Sequence, residues 1–73
     1  VNARYILTDD GSIFRALPFT HDTMNTRVGM VQLGSDGYWT WVDHRFKTGE
    51  APTVIGDFET YDQARAARDE LSS

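Results

Sequence analysis

His21-Asp22 and Asp43-His44 are the residue pairs in this chain closest to an acid–base or metal-ligating pattern. A histidine beside a carboxylate offers a proton shuttle or the start of a zinc or iron site. Their positions argue against both uses. Asp43-His44 lies in a stretch rich in aromatic and β-branched residues that reads as a strand, and adjacent strand residues point to opposite faces. His21-Asp22 lies in a polar loop where both side chains can share a site, but no second ligand pair at metal-site spacing accompanies them. The expectation is solvated histidines, no metal and no cofactor.

The other reactive groups read as turn chemistry. Ser12 and Ser35 stand in turn segments and lack a nucleophile-elbow pattern, and Ser72 and Ser73 stand at the end of the chain. Gly34-Ser35-Asp36-Gly37 is not a phosphate loop, because no Lys-Ser or Lys-Thr follows and its aspartate would repel phosphate. Asp9-Asp10 precedes Gly11-Ser12 and reads as a turn former. A chain of 73 residues also has little room for a deep pocket. These features point away from an enzyme.

Length and charge narrow the class further. Seventy-three residues make one domain, 1–73. Without cysteine there are no disulfides and no thiolate metal sites. That accords with a reducing compartment, and a cytoplasmic location is the expectation. No apolar run is long enough for a membrane-spanning helix, and no signal-peptide pattern is present. Eleven acidic against seven basic residues give a net charge of −4, which disfavours broad electrostatic binding of nucleic acid.

The elements follow from local pattern. Tyr5–Leu17 reads as a hairpin around Asp9-Asp10-Gly11-Ser12, with Ile13, Arg15 and Leu17 on one side of the second strand and Phe14 and Ala16 on the other. Pro18 is expected to end that ladder or mark an edge. Thr20–Thr26 reads as a loop. Arg27–Leu33 and Tyr38–Phe46 read as strands separated by the turn at Gly34–Gly37, and Lys47–Pro52 as a further turn. Thr53–Ile55 and Phe58 form a last strand, with Gly56 permitting a bulge or close backbone approach. The chain closes with one helix. Thr60 is its N-cap and Gln63 completes a capping box, while Tyr61, Ala64, Ala67 or Arg68, and Leu71 share a face. The predicted fold is α+β: a small antiparallel sheet of about four to five strands with one C-terminal helix packed on one face.

One helix covers one face, so the second face needs an account. Simple alternation over Tyr38–Phe46 sets Trp39, Trp41, Asp43 and Arg45 on one side and Tyr38, Thr40, Val42, His44 and Phe46 on the other. Neither set is polar. The sheet either curls around both, or exposes one set as an aromatic binding surface. Trp39, Trp41, Arg45 and Lys47 are the candidates on the sheet. Asp57, Glu59, Asp62, Asp69 and Glu70 form a candidate acidic surface on and near the helix, with helix capping and solvation as the ordinary alternative. The expected activity is a small interaction module that binds a protein partner or a second copy of itself.

The segment Ile55-Gly56-Asp57-Phe58-Glu59-Thr60, followed by Ala64, Ala66 and Ala67, resembles the apolar-Gly-x-Phe-x-Thr segment and alanine-rich helix of two DNA-binding families. These are the plant ethylene-response factors and the arm-binding domains of tyrosine integrases. The resemblance covers the half of the chain from Tyr38 onward. It implies a three-stranded sheet whose open face reads DNA through Arg, Lys and Trp, and the comparable strand here offers Trp39, Trp41, Arg45 and Lys47, together with Asp43. DNA binding through the open sheet face is therefore the alternative expectation.

Overall fold

Turn chemistry sets the frame. Gly11, Gly37 and Gly49 adopt positive φ values of 86°, 85° and 82°, in the three turns expected from the sequence. In the computed structural model, which describes residues 3–71, these turns are three of the connections that join six strands and one helix. The strands are β1 (Arg4–Thr8), β2 (Ile13–Thr20), β3 (Thr23–Thr26), β4 (Gly29–Leu33), β5 (Trp39–His44) and β6 (Val54–Phe58), and the helix is α1 (Tyr61–Leu71). All neighbouring strands pair antiparallel, in the order β5-β4-β3-β2-β1-β6.

The α+β class with an antiparallel sheet and one C-terminal helix stands, but the sheet has six strands where four to five were expected. The additional strand is β3, in the stretch read as a loop. His21 and Asp22 form a tight turn there, held by side chains. Thr20 Oγ1 donates to Asp22 Oδ1 at 2.8 Å, and the Thr20 and Thr23 hydroxyls lie 2.6 Å apart. Polar side chains closed a hairpin that apolar periodicity does not reveal. Pro18 does not end β2. It lies beyond Ala16, the last residue of β2 paired to β1, and opposite Met24 of β3, just before a register shift. Among the described residues no strand pairs with β2 on its β1 flank at Pro18, where a missing N–H is tolerated.

A second correction concerns β5 and β6. The turn between them suggests hairpin neighbours, yet β6 pairs with β1 and the two strands form opposite edges of the sheet. The sheet curls until these edges face each other as a half-barrel. Three register shifts assist the curl, leaving Phe19, Val42 and Ile55 as extra residues in β2, β5 and β6. A bulge bends its strand and increases the local twist. The three extra residues are exposed by 67%, 51% and 41% respectively.

The inner face is filled. A cross-strand row runs Pro18–Met24–Val31–Trp41, and Ile6, Ala16 and Val54 join Met24 and Val31 in the buried cluster. Phe14, Trp39 and Trp41 pack against it. Fully burying a side chain such as Ile6 or Val31 contributes about 1.5–3 kcal/mol. Among the described residues the outer face is covered only over β2, β1 and β6, where α1 packs with Ala64 fully buried. Tyr61 meets Tyr5 edge-on at 6.0 Å, and Arg68 lies over Gly11. The helix begins as expected: Thr60 Oγ1 accepts from Gln63 N at 3.1 Å, while Gln63 Oε1 accepts from Glu59 N rather than from the capping residue itself.

Candidate functional site

The tryptophans were expected on one side of β5 with Asp43 and Arg45. The register shift breaks that set. Trp41 pairs with Val31, Val42 is extra, and Asp43 then pairs with Met30 and His44 with Gly29. One inserted residue exchanges the two faces of everything beyond it. His44 and Phe46 therefore join Trp41 on the inner side. Trp41 lies 6.3 Å from His44 and 5.3 Å from Phe46, and Phe14 is 6.0 Å from Trp41 and 6.3 Å from Phe46. His44 Nδ1 is buried there without a hydrogen-bond partner among the described residues.

Both indoles are tied to the β6 side of the sheet. Trp39 Nε1 donates to Asp57 Oδ1 at 3.2 Å, and Trp41 Nε1 donates to the Pro52 carbonyl at 2.8 Å. The two tryptophans close the half-barrel where ladder hydrogen bonds are missing. Asp57 also accepts from Arg4 Nε. It pairs across from Ile6, so it faces inward and lies apart from the acidic surface of the helix. Glu59, Asp62 and Asp69 are exposed, and Glu70 is exposed with an interaction of its own. Arg45 and Lys47 are exposed in the segment after β5.

The two histidine–acid pairs are placed differently: His44 faces inward while Asp43 is exposed on the outer side, and His21 lies in the β2–β3 turn. His21 is solvent-exposed, with Nε2 4.0 Å from Asp22 Oδ2. The Thr20 hydroxyl holds the Asp22 carboxyl below the usual range. Asp10 is also held low, chiefly by the hydroxyl of buried Thr8, while Ser12 N donates to it at 3.1 Å. Among the described residues no three His, Asp or Glu side chains gather around one point.

The surface that sequence alternation missed is the outer face of β2–β5, beyond the reach of α1. Its rows follow from the pairing: Leu17–Asn25–Met30–Asp43, and next to it Thr20–Thr23–Gln32–Thr40. The extra residues Phe19 and Val42 follow the inward Pro18 and Trp41, and so fall on this side as well. At one end of this face a groove of about 580 Å³ separates Ile13–Leu17 of β2 from the β3–β4 turn, with Arg15 and Arg27 among its walls. A smaller cavity beyond the turn shares Arg27 and adds Arg45. Three arginines distant in the sequence thus gather at one end of an acidic molecule. None of the three has an ion-pair partner among the described residues. No family model, curated protein or solved structure matches the chain.

Proposed function

We propose that this chain is a small non-enzymatic interaction module that binds a protein partner, or a second copy of itself, through the uncovered outer face of β2–β5. One observation carries this reading: α1 leaves that face open, and Leu17, Phe19 and Val42 stand on it 48%, 67% and 51% exposed. Leu17 and Phe19 stand together on β2, and Val42 lies across the same face on β5; several exposed apolar side chains on one uncovered face favour an association surface. The polar row Thr20–Thr23–Gln32–Thr40 beside them resembles the rim of such a surface.

The test is the solution mass by light scattering across a concentration series, together with affinity capture, for the natural chain and for a Phe19→Ser, Val42→Ser double variant. Loss of self-association or of a captured partner in a variant that melts normally supports the reading. A monomer at every concentration, with identical capture by both proteins, removes it. DNA binding through the sheet is a second reading, which gains from the unpaired Arg15, Arg27 and Arg45 and loses from the net charge of −4. It is checked by titrating mixed duplex DNA at about 50 mM salt, where phosphate contacts are strong.

A further inference from the structure

We infer that the groove between Ile13–Leu17 and the β3–β4 turn receives an extended acidic segment of a partner protein, added as a strand beside β2. The inference rests on the interaction-module reading and assigns that module one specific site and ligand chemistry.

Three observations converge there. First, among the described residues β2 is paired on one flank only over Ile13–Ala16: β1 meets these residues, whereas the pairing to β3 starts at Leu17 with Asn25. A half-paired strand presents free main-chain donors and acceptors, which an added strand satisfies. Second, the adjoining groove of about 580 Å³ has apolar walls from Ile13, Phe14 and Leu17, suited to a bulky aliphatic side chain. Third, Arg15 and Arg27 line the same groove, no acidic residue lines it, and neither guanidinium has a hydrogen-bond or ion-pair partner among the described residues. Guanidinium groups pair with carboxylates through two parallel hydrogen bonds, which adds direction to the attraction.

The ligand that meets all three demands is an extended peptide in which acidic and aliphatic side chains alternate. Nucleic acid meets the charge but leaves the aliphatic walls and the open strand flank without partners. The net charge of −4 opposes an acidic ligand at long range. That repulsion is screened over roughly 8 Å at physiological salt, while the contacts at Arg15 and Arg27 are local.

The test is an amide chemical-shift titration of the isotope-labelled chain with a capped octapeptide of alternating Val and Glu. A Val/Lys octapeptide and a twelve-nucleotide oligothymidylate serve as comparison probes. The expected result is movement of the amides of 13–17 and 25–27 with the Val/Glu peptide, and binding weaker by at least about tenfold with the Val/Lys peptide. An Arg15→Glu, Arg27→Glu double variant, which changes only exposed side chains, is expected to melt normally and to reverse that preference. Failure to move those amides at millimolar peptide, equal binding of the two peptides, or stronger movement with oligothymidylate would overturn the inference. If the double variant keeps an association that Phe19→Ser, Val42→Ser abolishes, the groove is removed as the site while the interaction-module reading survives.

Discussion

Trp39 on β5 donates its indole N–H to Asp57 on β6 at 3.2 Å, joining the two free edges of the sheet. The same carboxylate accepts from Arg4 on β1, so one side chain holds three strands together from the inner side. Asp57→Ala removes the acceptor and leaves an indole N–H and a guanidinium without it. We expect a loss of about 1–3 kcal/mol of unfolding free energy, read by urea denaturation. A Trp39→Phe, Asp57→Ala double variant is expected to lose less than the sum of the two single variants, because both disrupt the same bond.

Trp41 packs on the buried cluster and is tied to the Pro52 carbonyl. Trp41→Ala is expected to cost about 3–5 kcal/mol, which for a domain of this size is enough to abolish cooperative unfolding. Circular dichroism during heating checks this. A normal melt would mean that the indole is dispensable to the core.

Gly29 and Gly37 separate close approach from backbone conformation. A Cβ on Gly29 would lie 2.1 Å from the Asp43 carbonyl oxygen, whereas a Cβ on Gly37 meets nothing within 4 Å. Gly37→Ala carries only the positive-φ penalty of about 1–2 kcal/mol. Gly29→Ala must also displace β5, and is expected to cost more and to shift the amide resonances of Asp43 and His44.

Acid sensitivity is expected to trace in part to Asp10, whose carboxyl is held low chiefly by the Thr8 hydroxyl. Its value in the folded state lies below that in the unfolded chain. The associated stability is therefore present above the ordinary carboxylate value of about 4 and lost as pH falls through the folded value. Melting temperature followed from pH 6 to pH 2 (roughly the range in which aspartates titrate) should fall less steeply for Asp10→Asn than for the natural chain.

His44 lies against the rings of Trp41 and Phe46 with a buried Nδ1 that finds no partner among the described residues. Replacing a buried unsatisfied polar atom with carbon recovers part of its desolvation cost. His44→Phe is expected to be neutral or to stabilise by about 1 kcal/mol in urea denaturation. A loss of more than that amount would show that Nδ1 is satisfied in solution.

Local chemistry was readable before any fold was known. The turns at Gly11, Gly37 and Gly49, the Thr60 cap and the helix to Leu71 each depend on residues adjacent in the chain. The hairpin at His21-Asp22 was also local, but its signal lay in threonine hydroxyls rather than in apolar periodicity. Strand alternation in β5 was correct up to Trp41 and failed after it, because a bulge is set by the register of the partner strand β4. Tertiary structure alone decided that β6 pairs with β1, that both tryptophans turn inward, and that Arg15, Arg27 and Arg45 gather at one end. The physical reason is range: turns and caps are settled within about four residues. Sheet order, curl and charge placement depend instead on which distant strands bury each other's side chains.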